Sequence, residues 1–473
     1  MTHRFISRRH FLRTSLALAT VFGNGLPLAM REARADNFAA LNHPLLANIM
    51  LNGGPDMRHL LMPAFSSVNG TYGREFWRIR ASAQGTDDTT SVLEQRWNED
   101  YLPAASGDTQ FGILKAAQWL HEMWSAGKVA LICGVLNDES RDHELAIRTM
   151  EMGNRQADKF TFGSGWGGRL VQAANRNVIA LTTSPRRFSF SPNPDALSDL
   201  RLIDNHRMIP AADMREFALA EVAPGSDLTE NSNKLKRGLK QYYAERRASV
   251  STRSVYYQFF EHERKLRELG AIIDARLATV PVPSGIADLF NDGSAVGYDL
   301  ALQTRNLHDA MACNDVLDIC VASMDFNGWD THNNQRDEFA SNARALFGTN
   351  GALAALYANL REDVRANVVL QIGGEFGRQL AANGGGGTDH GEGLITILIG
   401  DAVQGGIYGT MFPEEEMARF QEDSAQIQGL NAIDHVFGRV AEWVMPGSKA
   451  QVFPNAANAP LEAGVDLSGM FRA

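Results

Sequence analysis

Short, almost wholly apolar runs alternate along this chain with segments whose apolar residues recur every three or four positions. The runs read as strands buried on both faces, and the periodic segments as helices laid against them. Residues 48–51 form the first run, which ends in the tight loop Asn52-Gly53-Gly54-Pro55-Asp56. Ile113, Ala117, Leu120 and Trp124 then recur at helical spacing, and residues 128–135 follow as a second strand. Between them, residues 83–100 are rich in Thr, Asp and Glu and read as a surface loop. A helix is predicted over 141–152 and a strand over 177–181. The second half continues with a helix over 298–314, a strand over 316–323, a helix over 352–361 and strands over 367–372 and 394–400. This succession predicts an α/β fold around a mainly parallel sheet. Residues 228–280 break the pattern with long, highly charged helix, read as an insertion with a solvated face, and residues 446–473 read as an irregular tail.

The composition, 44% hydrophobic and 21% charged over 473 residues, is that of a large globular protein and excludes a disordered or fibrous one. The one long apolar run is N-terminal, which argues against a polytopic membrane protein. Cys133, Cys313 and Cys320 lie in or beside apolar stretches without CxxC spacing, so they read as buried small hydrophobes and not as zinc ligands.

The N-terminus reads as an address. Ser7-Arg8-Arg9-His10-Phe11-Leu12-Arg13 precedes a weakly apolar stretch, and Ala33-Arg34-Ala35 supplies a small-residue cleavage site. Together they predict a twin-arginine signal over residues 1–35, a visit to the twin-arginine translocase, and a periplasmic or extracellular destination for a chain exported already folded. Gly23, Asn24, Gly25 and Pro27 interrupt the run, so no stable span is expected once the signal is cut. The signal carries six Arg and one Glu, and its loss takes the net charge from −10 to −15. So acidic a body argues against nucleic acid as a partner.

Acidic and imidazole residues gather beside the strands. Asp56 follows the first; Ser140, Asp142 and His143 follow the second. Asp330 and His332 sit in Gly328-Trp329-Asp330-Thr331-His332, and Glu375 and Arg378 in Gly374-Glu375-Phe376-Gly377-Arg378. Asp389 and His390 end the glycine run 384–387 in Gly387-Thr388-Asp389-His390-Gly391. Loops beyond the carboxyl ends of parallel strands converge on ligands. Oxygen and nitrogen donors of this kind suit one or two divalent cations, with zinc, manganese, magnesium and calcium all open.

These strings, in this order, resemble the secreted bacterial family catalogued as domain of unknown function 1501, placed in the alkaline-phosphatase-like superfamily. Gly405-Gly406-Ile407-Tyr408-Gly409 fits it too. The resemblance implies an alkaline-phosphatase-like layered sandwich over residues 36–473 and metal-dependent hydrolysis of phosphate or sulfate esters. It implies one metal site from Asp56, the Ser140 loop, Asp389 and His390, and another from Asp330, His332 and either Asp434 or His435. Ser140, Asp142, His143 and Arg378 are then the candidate catalytic residues, with Arg378 or Arg141 meeting an anionic ester. Two positions depart from the family pattern. Asp142 stands where a second Ser is usual, and Gly373-Gly374 where a small hydroxyl residue is usual. The nucleophile is therefore Ser140, Asp142 or neither. A non-catalytic envelope protein on the same fold is the alternative function.

Overall fold

The computed structural model describes residues 38–472 apart from 66–70, 159, 162, 183, 193–206, 217–228 and 253. The predicted export signal lies outside the described residues. Strand β1 (Leu45–Leu51) shows how the apolar runs are used. Its Leu45, Ala47, Ile49 and Leu51 enter one buried cluster, while Leu46 and Met50 enter the cluster on the opposite face. A strand covered on both sides has no polar face to alternate with.

The other strands are β2 (Leu61–Pro63), β3 (Tyr101–Ser106), β4 (Thr109–Leu114), β5 (Val129–Leu136), β6 (Asn177–Ala180), β7 (Met208–Pro210), β8 (Ile319–Phe326), β9 (Val368–Gly373), β10 (Leu394–Ile399), β11 (Gly406–Tyr408) and β12 (Asn431–Ala432). The main sheet runs β11-β5-β10-β9-β1-β8-β6-β7, with β12 also on β5. The fold is mixed α/β with a mainly parallel central sheet. Among the described strands of that sheet, β10 alone runs against its neighbours, antiparallel to β5 and β9. This reversal places the start of β10 at the rim where β1, β5, β8 and β9 end. The loop before β10 thus meets the loops after the other four.

Three expectations are corrected. Residues 90–100 are helical, not loop. Of that helix only Leu93 is buried, so its apolar signal was too thin to read. Ile113 belongs to β4, which pairs with β2 and β3 in a small antiparallel sheet, and the helix begins only at Gln118. The β3–β4 turn has a legible cue in Gly107-Asp108, where Gly107 takes φ +56°. The strand read at 316–323 begins at Ile319, because residues 314–317 close a short helix.

The charged segment forms two helices, Asn231–Ser249 and Val255–Leu277. The first is largely exposed, and the second reaches the core through Leu269, Ile273 and Leu277. The tail is irregular but anchored: Leu467 and Met470 are buried and Arg472 N donates to the Ala402 carbonyl. No helix among the described residues is long and apolar enough to cross a membrane. Cys133, Cys313 and Cys320 are free and buried.

Candidate functional site

Glycines let the rim loops close on one another. Gly53 has φ +124°, and a Cβ there would lie 2.3 Å from Asp330 N. A Cβ at Gly387 would lie 2.3 Å from the Thr331 carbonyl oxygen. The glycine run is therefore a packing surface, pressed against the loop that carries Asp330 and His332. Buried Arg378 ties the same loops together. Its Nε donates to Gly54 O (2.5 Å), Nη1 to Thr388 O (2.7 Å), and Nη2 to Gly53 O (2.5 Å), Trp329 O (3.1 Å) and Asp330 Oδ1 (2.9 Å). Arg378 is expected from the resemblance to meet an anionic ester. Its donors are instead spent on loop carbonyls and on Asp330. Trp329 is wholly buried against Phe326 and Phe339, a packing role.

Three imidazoles surround the Asp330 carboxylate, and each has Nδ1 fixed by an oxygen acceptor. His143 Nδ1 donates to Glu375 Oε1 (2.8 Å), His332 Nδ1 to Asp389 Oδ1 (2.9 Å), and His390 Nδ1 to the Arg141 carbonyl (3.0 Å). Each Nε2 then turns to Asp330. His390 Nε2 lies 2.9 Å and His332 Nε2 3.0 Å from Oδ1, while His143 Nε2 lies 3.4 Å from Oδ2. The Nε2 atoms of His332 and His390 are 2.9 Å apart. Ligand atoms of His143, Asp330 and His390 all fall within 4.8 Å of one another, a spacing a metal ion can span. The carboxylate or carbonyl behind each ring is the usual support of a metal-binding imidazole, since it orients the ring so that Nε2 is the nitrogen a metal would take. The support extends outward: Gly53 N donates to Glu375 Oε1 (2.9 Å), and Asn383 Nδ2 to Asp389 Oδ1 (2.9 Å).

The electrostatics follow from these contacts. Burial opposes ionisation of Asp330, but the His390 hydrogen bond and the Arg378 charge outweigh it and bring the carboxyl to about 2. The Glu375 hydrogen bond raises His143 against the effect of its burial, with the Asp330 charge helping. Burial lowers His390, reinforced by the Arg378 charge and opposed by its bond to Asp330. The Asn383 hydrogen bond holds Asp389 below the ordinary carboxylate range against burial.

The side chains of the remaining candidates make their described bonds elsewhere than on Asp330. Asp56 caps the helix Met57–Leu60 and is wholly buried. Its Oδ2 is engaged by Arg80 Nη1, Gln335 Nε2 (2.9 Å) and Thr388 Oγ1 (3.2 Å), and its Oδ1 accepts from His59 N (3.2 Å). Nothing in the sequence marked Arg80 or Gln335. Asp142 is the N-cap of the helix His143–Met152, accepting from Leu145 N (3.0 Å), and Ser140 Oγ accepts from Asp142 N (3.1 Å). Asp and Ser cap helices equally well, so the replacement at 142 preserves local structure. His435 Nε2 donates to the Ala459 carbonyl (3.0 Å) and buried Asp434 pairs with Arg155 (2.8 Å), so neither joins the cluster.

The fold and site define a mixed α/β protein whose sheet rim carries an imidazole–carboxylate cluster. The family model described as "Protein of unknown function (DUF1501)" matches residues 316–449 and supports that family. The matched segment supplies Asp330, His332, Glu375, Arg378, Asp389 and His390. No curated protein matches the chain.

Proposed function

We propose that this chain is an exported, metal-dependent hydrolase of anionic esters, phosphate or sulfate, on an alkaline-phosphatase-like fold. The observation that carries the reading is the set of three imidazoles whose Nδ1 atoms all serve acceptors while their Nε2 atoms face one carboxylate. Imidazole nitrogens and a carboxylate oxygen turned toward one another form a cradle for a cation, a metal ion displacing any proton they share. Asp330 and two of the three Nε2 atoms beside it, His390 with His332 or His143, would hold it, and so nitrogen-rich a set favours a transition ion over magnesium or calcium. Bound there, a divalent ion would polarise a phosphoryl or sulfuryl oxygen and stabilise the charge that develops on it.

The chain supplies the rest. Arg141 is exposed beside the cluster, its carbonyl on His390 and its guanidinium on Gln426 Oε1 (2.9 Å), and it meets the ester's anionic group. Ser140, the preceding residue, is the candidate nucleophile. Attack by Asp142 would cost the helix its cap, which makes Asp142 the weaker candidate.

Metal content of the purified protein, together with hydrolysis of generic phosphomonoester, phosphodiester and sulfate-ester substrates, tests the reading. Bound metal with turnover that His390→Ala abolishes is the expected result. Bound metal without turnover on any class leaves the second reading, a non-catalytic envelope protein, which Asp142 in the place of a second serine favours. Export rests on the paired arginines: cell fractionation should find Arg8→Lys/Arg9→Lys protein retained in the cytoplasm.

A further inference from the structure

The resemblance implies two metal sites, and the residues present do not fit two. At the first, Asp56 is wholly buried and already saturated by Arg80, Gln335, Thr388 and the His59 amide. The Arg80 guanidinium is itself locked, with Nη2 on the Gln379 carbonyl (2.5 Å), Nε on the Leu380 carbonyl (2.5 Å) and its plane by the Phe76 ring. A fixed positive charge thus stands where a cation would have to bind. At the second, His435 faces the Ala459 carbonyl.

The open carboxylate tells a different story. Asp330 Oδ1 and the Nε2 atoms of His332 and His390 form a triangle with sides of 2.9, 2.9 and 3.0 Å. With each Nδ1 engaged by Asp389 or the Arg141 carbonyl, the two Nε2 atoms at 2.9 Å are held by a positive charge between them, a shared proton or a metal ion that displaces it. Ligand atoms about 2.1 Å from an ion are about 3.0 Å apart at neighbouring corners of an octahedron and about 3.4 Å apart in a tetrahedron. The triangle matches an octahedral face. Asp330 and His332 are about 40% exposed, with side-chain values of 42% and 37%, so solvent reaches the triangle.

We infer that the chain holds a single six-coordinate first-row transition ion on the face formed by Asp330, His332 and His390, and that Arg80 stands in for a second cation at Asp56. This rests on the functional reading above and narrows it, with Asp389 as the positioning residue for His332.

The test uses the full chain, stripped with a chelator and titrated calorimetrically with Mn(II), Co(II) and Zn(II), with the visible spectrum of the Co(II) form recorded. One equivalent is expected, with the weak bands of six-coordinate cobalt. His332→Ala and His390→Ala should each weaken affinity by at least about 100-fold, and Asp56→Asn should still bind one equivalent. Two equivalents in the native chain, intense four-coordinate bands, or undiminished affinity in His332→Ala would overturn the inference and leave the functional reading standing. If Asp56→Asn does not fold, the native stoichiometry and the cobalt spectrum still decide. Failure to bind any of the three ions would sink both.

Discussion

Asp56 and Asp330 follow strands of the same sheet at the same rim, yet they do opposite work. Asp56 is sealed, and its charge is consumed by Arg80 and by neutral donors. Asp330 stays half exposed, shares one oxygen with Arg378, and turns toward three imidazole Nε2 atoms. A carboxylate becomes a ligand only when its neighbours leave it charge to give, and position in the fold does not decide that. A buried ion pair buys little net stability, but breaking one strands a charge in a medium that cannot solvate it.

Removing the sealed carboxylate should have the largest effect. Asp56→Ala leaves Arg80 buried without its partner and should cost about 3–5 kcal/mol in denaturant unfolding, whereas Asp330→Ala, at a half-exposed site, should cost much less. The same contrast has a pH signature. Burial raises the Asp56 pKa, but Arg80, His59 and Arg378 more than compensate, so the native value lies below the ordinary one. Its contribution is therefore complete above the unfolded value of about 3.9 and is lost as pH falls through the lower native value. Asp56→Ala should remove that component from the acid limb of the stability profile, read from denaturant midpoints at successive pH values.

Smaller effects sharpen the open side. Asp389→Asn keeps an acceptor for His332 Nδ1 but removes its charge, and should weaken metal affinity by about 10–100-fold with little change in unfolding. The smallest effect is expected at the cap. Asp142→Ser should change stability by less than about 0.5 kcal/mol, against about 1 kcal/mol for Asp142→Ala. A gain of ester hydrolysis in Asp142→Ser would identify the serine missing at 142 as the catalytic hydroxyl and displace Ser140 from that role.

Much of the site was legible because its cues are local. Asp330 with His332, Asp389 with His390, and His143 at a helix start were all marked by loops that follow or precede apolar runs. Glu375 is visible too, in the string it shares with Arg378, but its service to His143 spans 232 residues of sequence. Arg80 left no trace, because an arginine on the polar-looking helix that ends beside it reads as surface until a carboxylate 24 residues away is found beneath it.

By itself the sequence determined the alternation of apolar runs and periodic segments, hence the α/β class, and the chemistry of the loops. Those follow from each residue's affinity for water and from backbone preferences that act over a few positions. Only the tertiary structure decided that β10 runs backwards, which brings Asp389 and His390 to the rim where the other strands end. It also decided which carboxylate Arg80 would neutralise. Strand direction and charge pairing depend on energies between segments distant along the chain, and no local pattern records them.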